Sequence, residues 1–289
     1  MGILVQLVLN GLIAGAIYAL IALGFNLVYA TARFFNLAHG ALAAVGGYSV
    51  FYFGQKLGLP LWVAVLLGIL IAGLVGWALN KFIYEVLRGR QASNTVLLVA
   101  SLGAFTVIQA IIAIIFSSQF QTLTRGFETR VYEIFGGVIT QNQLIIMGLT
   151  VAISILLYLF LRFTVMGRMV RAISDDVEAA RVVGIPVNRV IGLVFFIASA
   201  IAGLGGIMVG FETGIEPTMG MSLLLKGVIA TIIGGIGNPF GGVLGGVLLG
   251  LIENLGIWKI SAEWKDAIAF AVLILFLLLR PSGILGKKK

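Results

Sequence analysis

Ser174-Asp-Asp-Val-Glu-Ala-Ala-Arg-Val-Val-Gly-Ile-Pro186 is the longest charged interruption in an otherwise oily chain. Its spacing reads as one short helix with both ends marked. Asp175 is placed to cap the first amides, and Glu178 follows where a capping-box carboxylate reaches back. Gly184 is placed to take the left-handed conformation just past the end, and Pro186 stops continuation. About two turns lie between, too few to persist alone in water. A helix bounded in this way, outside any apolar span, is expected to dock onto something.

The chain on either side decides the fold. Of 289 residues, 60% are hydrophobic and only 10% charged, with a mean hydropathy of +1.13. A soluble domain cannot hide that much apolar surface, so the composition predicts an all-α polytopic membrane protein. Apolar stretches near bilayer length fall at 5–28, 38–54, 61–83, 95–116, 142–162 and 190–211. Two shorter pieces, 222–236 and 241–257, flank Gly237-Asn-Pro239, and 265–280 closes the chain. The segment near 222–257 reads as broken or re-entrant, giving roughly seven to nine transmembrane helices. Residues 1–289 form a single membrane domain, because no polar stretch is long enough for a soluble one. Met1-Gly-Ile-Leu-Val-Gln-Leu carries no basic leader, so the first span is expected to stay.

Basic residues set the expected orientation. With the N-terminus outside, one side holds Arg33, Lys81, Arg88, Arg90, Arg162, Arg168, Arg171, Arg181, Arg189, Arg280 and Lys287–Lys289, thirteen of the nineteen Lys and Arg. The other side holds Lys56, Arg125, Arg130, Lys226, Lys259 and Lys265, offset in part by Glu128, Glu133, Glu212, Glu216 and Glu263. The basic side, with the loop 163–189 and the C-terminus, is expected to be cytoplasmic. The net charge of +8 is then a matter of topology, and no nucleic-acid partner is expected.

Small residues recur every fourth position: Gly68, Ala72 and Gly76; Ala198, Ala202, Gly206 and Gly210; Gly237, Gly241 and Gly245 beside Gly242, Gly246 and Gly250. Such ridges let helix backbones approach closely. Gly11-x-x-x-Gly15 in the first span echoes the last ridge.

Few residues offer chemistry. The chain has no cysteine and one histidine, His39, so a metal site lacks ligands and none is expected. His39 is better read as fixing a turn through backbone carbonyls. Lys226 and Glu253 are intramembrane charges, expected either to pair or to line a pathway. Asn10, Asn26, Asn36 and Gln109 are polar points in apolar spans. Together Asn10, Asn36, His39, Gly237, Asn238 and Glu253 are the candidates for a translocation path, with half-helix amides beside Gly237 offered to a carboxylate. No phosphate-cradling loop, Gly-x-Ser-x-Gly or His-Glu-x-x-His is present. If ATP drives this protein, another chain hydrolyses it.

Motif resemblance then becomes specific. Glu178-Ala179-Ala180-x-x-x-Gly184 resembles the EAA signature of bacterial ABC importer permeases, and Gly167 to Val190 around it is similar to the branched-chain amino acid, LivH-like group. Asn10-Gly-Leu with Gly15-Ala-Ile-Tyr-Ala-Leu-Ile-Ala-Leu-Gly24, Asn36-Leu-Ala-His-Gly40, Gly234 to Gly246 and Arg280-Pro-Ser-Gly-Ile-Leu-Gly286 resemble further motifs of that family, in its order. The wider pattern's Ile-x-Leu-Pro is absent, since Gly192-Leu-Val-Phe-Phe-Ile197 has no proline. The resemblance implies the permease subunit of an ABC importer for branched-chain or related hydrophobic amino acids, in a bacterial or archaeal plasma membrane. It implies two cytoplasmic ATPase subunits, a second homologous permease and an external substrate-binding protein as partners. ATP and Mg would be bound by those partners, with no cofactor on this chain and no enzymatic step. Asp175, Glu178, Ala179, Ala180, Arg181 and Gly184 would form the coupling helix that docks on an ATPase. The competing expectation is a stand-alone ion-coupled transporter or channel.

Overall fold

The computed structural model describes residues 2–123 and 130–286; Arg125, Glu128 and Lys287–Lys289, which enter the charge asymmetry above, lie outside them. Helix α1 (Gly2–Ala32) is followed by α2 (Ala38–Val50), which runs into a π-helical turn at Phe51–Lys56. Next, α3 (Leu61–Leu79) passes through a second π-turn, Asn80–Tyr84, into α4 (Glu85–Gly89), and α5 (Asn94–Phe116) follows. After a hairpin come α6 (Gln141–Phe163), α7 (Val165–Asp175), α8 (Val177–Val182) and α9 (Val187–Glu212). The chain closes with α10 (Met219–Gly234), α11 (Pro239–Gly256) and α12 (Lys265–Leu279).

Every apolar stretch expected from the sequence is helical, and the fold is an all-α polytopic membrane fold. Among the described residues six helical stretches are long and apolar enough to cross a bilayer, α3 to α4 counting as one, and α10 is a shorter apolar helix. The break between α10 and α11 is a turn over Gly235–Asn238 that leaves the two helices packed side by side.

Burial sorts the helices. α1 and α9 are apolar all round and buried over most of their length, as expected for central helices. α3, α5 and α6 bury only a minor part of their surface and turn Leu66, Val107, Ile114, Ile155 and similar side chains outward. Those outward faces suit a hydrocarbon solvent, where apolar side chains need no partner.

The small-residue ridges explain how the centre closes. Gly11 and Gly15 of α1 lie against Gly246, Val247 and Gly250 of α11, so the echo between the two motifs is a physical contact. A Cβ on Gly15 would sit 2.8 Å from Val247 Cα, and one on Gly246 would sit 2.5 Å from the Ala19 nitrogen. α9 does the same for α2 and α3: Gly203 faces Gly46 and Ala72, while Gly76 faces Ser199. With no hydrophobic drive between helices in lipid, such close approach supplies dispersion contact in its place.

One element was not expected. β1 (Val131–Ile134) and β2 (Gly137–Thr140) form an antiparallel hairpin in which Val131 faces Thr140. Its turn has positive φ at both Phe135 (51°) and Gly136 (79°), a geometry that Asn-Gly usually signals. Phe at the first position hides that signal. Gln6 of α1 lies along β2, accepting from the Val138 amide at 2.7 Å and donating to the Val138 carbonyl at 3.0 Å.

The molecule therefore has two distinguishable ends. At the hairpin end, Gln6 meets Val138, and Gln121 and Ile215 exchange backbone hydrogen bonds. At the opposite end the Arg33 guanidinium donates to the Ser174 carbonyl. There also the chain after α12 folds back, with the Ile284 and Leu285 amides bonding the Ile233 and Gly234 carbonyls at 2.9 Å.

Candidate functional site: a projecting short helix and a cavity in the bundle

The connection from α6 to α9 is a rigid elbow. Thr164 Oγ1 accepts from the Gly167 amide at 2.9 Å and starts α7, and a Cβ on Gly167 would strike the Leu161 backbone. Val170 and Ile173 are buried beneath. α8 then turns off α7 at a cap, and the cap is Asp176, not Asp175. Asp176 Oδ1 accepts from the Glu178 amide at 2.8 Å and the Ala179 amide at 3.0 Å. Asp175 is the last residue of α7, whereas Asp176 has the extended backbone, φ −150° and ψ 116°, that an N-cap needs. Glu178 is therefore too close to its cap to complete a capping box.

The other end of α8 follows the sequence. Gly184 has φ +83°. Its amide bonds the Arg181 carbonyl at 3.0 Å and the Ile185 amide bonds the Ala180 carbonyl at 3.0 Å, the paired closure of a Schellman motif.

These caps fix which face projects. Ala180, grouped with the docking residues from the sequence, instead turns inward and is buried. Glu178, Ala179 and Arg181 are exposed, and beside them Val182 and Val183 are 87% and 74% exposed. Two valines thus project from the end of a short helix capped at both ends.

A cavity of about 630 Å³ lies toward the hairpin end. α1 contributes Asn10, Ile13, Ala14, Ile17 and Tyr18, positions that share one helical face. Glu212 at the end of α9, Glu216 before α10, Asn254 of α11 and Lys265 of α12 supply its polar wall. Glu212 Oε1 accepts from Gln143 Nε2 at 2.8 Å, and Lys265 Nζ donates to Asn254 Oδ1 at 3.2 Å. Asn10 Oδ1 accepts from Gln6 Nε2 at 3.0 Å, which links the cavity wall to the hairpin.

Beside Tyr18 lies a charge cluster, buried at Lys226 and Glu253 and reaching the surface at Asp266. The Tyr18 hydroxyl donates to Glu253 Oε2 at 2.9 Å, and Lys226 Nζ bridges Glu253 Oε1 at 2.5 Å and Asp266 Oδ1 at 2.8 Å. Of the two expectations for Lys226 and Glu253, pairing is the one observed. Glu253 is completely buried, and in such a place an ion pair with an added hydroxyl donor is what keeps a carboxylate tolerable.

The remaining path candidates lie elsewhere. Asn36 is buried and accepts from the Tyr84 hydroxyl at 3.0 Å, tying the α1–α2 corner to the second π-turn. His39 is buried against Gly24, where the Ile21 carbonyl approaches its ring without meeting hydrogen-bond geometry. Gly237 donates its amide to Asn26 Oδ1 at 2.8 Å. Asn238 caps α11 by accepting from the Phe240 and Gly241 amides at 3.1 and 3.2 Å. The half-helix amides offered to a carboxylate are thus already occupied. Of the six path candidates only Asn10 lines the cavity, with Glu253 behind Tyr18. Tyr18, Glu212 and Lys265 were missed, although Asn10, Ile13, Ala14, Ile17 and Tyr18 carry a helical stripe that could have revealed the first.

A bundle of apolar helices with a cavity at one end and a projecting capped helix at the other has the form of a membrane transport protein. Residues 7–277 match the family described as branched-chain amino acid transport system / permease component, and the chain belongs to that family. It is 33% identical to the high-affinity branched-chain amino acid transport system permease protein LivH of Salmonella typhimurium, over 98% of this chain and 95% of that one. It is 32% identical to the corresponding BraD of Pseudomonas aeruginosa over the same shares. A second type of relative, the permease protein LivM of Salmonella typhimurium, is 24% identical over 93% of this chain and 68% of LivM.

Proposed function

We propose that this chain is the membrane-spanning permease subunit of an ABC importer that carries branched-chain or related hydrophobic amino acids across the plasma membrane. ATP and Mg²⁺ are bound, and ATP hydrolysed, by two partner ATPase subunits. A second permease, of the kind LivM exemplifies among the relatives, completes the pore, and an external binding protein delivers the solute. The loop carrying α8 and the C-terminus face the cytoplasm, and no covalent step occurs on this chain.

The observation that carries this reading is α8. A six-residue helix cannot hold its shape in solution, yet this one is capped at both ends and presents Glu178, Arg181, Val182 and Val183 outward. Valines suit burial against a partner, while Glu178 and Arg181 orient it. ATP-driven closure of the partners would push α8 and, through the α6–α7 elbow and α9, tilt the spans. The solute path is read as passing the cavity of Asn10 and Tyr18, with Glu253 behind it.

Copurification tests the coupling claim. An ATPase subunit that copurifies with the native chain is expected to be lost, by at least about tenfold, with Glu178→Arg, since like-charge juxtaposition costs several kcal/mol. Solute uptake by the purified chain alone in liposomes, without ATP, would overturn the proposal in favour of a stand-alone transporter.

A further inference from the structure

The cavity holds charges of opposite sign that do not neutralise one another. Among the described residues the ion pairs are Lys81–Glu85, Lys226–Glu253 and Lys226–Asp266. Lys265, Glu212 and Glu216 all line the cavity and belong to none of these pairs. Lys265 is held by the neutral Asn254 amide, and Glu212 by the neutral Gln143 amide. Amide partners position a charge without cancelling it. Glu212 ends α9 and Lys265 begins α12 at the hairpin end, both half-buried, with Glu216 exposed beside them, so the cavity meets its charges at its mouth, where a polar solute would enter.

The remaining walls are apolar. Ile13, Ile17 and Leu223 line the same space and are themselves buried, so they are fixed in place. A volume of about 630 Å³ falls in the range of small-molecule sites. A cationic pole, an anionic pole and an apolar wall in one enclosure match the three parts of one ligand class.

We propose that this cavity binds a zwitterionic α-amino acid with an apolar side chain. Lys265, with Asn254, takes the carboxylate. Glu212, with Glu216 at the rim, takes the ammonium, and Ile13, Ile17 and Leu223 take the side chain. Binding both poles excludes amides, amines and fatty acids of the same shape, because each leaves one charged group of the site unpaired. The Tyr18 hydroxyl is held on Glu253, so the paired Lys226 and Glu253 stay behind the ligand and out of its recognition. The assignment rests on the transport reading above and adds the site to it.

The test uses the purified full chain in lipid nanodiscs, with displacement of radiolabelled leucine by leucine, leucinamide, 4-methylpentanoate and 3-methylbutylamine. The native chain is expected to prefer leucine over each analogue by about tenfold or more, the worth of one charged hydrogen-bonded contact. Lys265→Met should abolish discrimination against leucinamide while keeping that against 4-methylpentanoate. Glu212→Gln should do the reverse, and Lys265→Arg should restore the native pattern. The readout is a ratio within each variant, so a loss of folded protein leaves it unchanged. No leucine binding to the native chain, or ratios unmoved by both substitutions, would overturn the site. Leucine uptake by the native chain together with its ATPase, permease and binding-protein partners is measured in parallel. Uptake with unmoved ratios overturns the site alone, whereas selective binding without uptake overturns the transport reading alone.

Discussion

Asp176 shows how close a sequence reading can come and still miss. Two adjacent aspartates precede α8, and either can serve as a cap by residue type; only backbone geometry chooses, and Asp176 is the extended one. Asp176→Ala is expected to cost about 1 kcal/mol of local helix stability. In amide exchange it should remove protection at Glu178 and Ala179, and Asp175→Ala should leave both protected. Lys226 makes a different point. Its partner Glu253 is 27 residues away in sequence, and nothing in local spacing tells a pair from two pathway charges. Lys226→Met leaves a fully buried carboxylate without its counter-charge, and is expected to cost about 3–5 kcal/mol. Thermal unfolding in detergent should show most of that loss recovered in the Lys226→Met/Glu253→Gln double variant.

At the level of elements, spans were legible because length and hydropathy alone specify them, and α1, α5, α6 and α9 match expectation to within a few residues. The hairpin was not, because Phe135 stands where a turn residue would have announced it. The cavity was legible only in part, since Asn10 is a visible polar point whereas Lys265 and Glu212 sit at helix ends, where charge is unremarkable. The glycine ridges were visible, but their pairing was not: periodicity gives a face and leaves open what it meets. The structure separates glycines of the same apparent type. Gly246→Ala should lower stability by about 1–3 kcal/mol through overpacking, because its Cβ meets the α1 backbone. Gly148→Ala, in α6 with nothing within 4 Å, should be neutral or stabilise by about 0.5–1 kcal/mol. Unfolding midpoints of the purified chain distinguish the two.

Across the whole molecule, the hairpin and α8 mark opposite ends, and their sidedness is open to direct measurement because the chain contains no cysteine. Phe135 is 92% exposed and Val182 is 87% exposed, so Phe135→Cys and Val182→Cys are single, reachable labels. Intact cells should react with a membrane-impermeant maleimide at Phe135→Cys and reach Val182→Cys only after permeabilisation; the reverse pattern would invert the orientation. The seam between α1 and α11 bears on how such a molecule can flex. At Gly15, Gly246 and Gly250 backbone lies directly against backbone, leaving little side-chain material to act as a compliant layer. Two rods bonded along their length resist bending as one laminated beam, far more than two rods free to shear. Bending of the bundle is therefore expected to be smallest along this pair and larger in α5, α6 and α12, which bury little of their surface, as springs around a stiff mast.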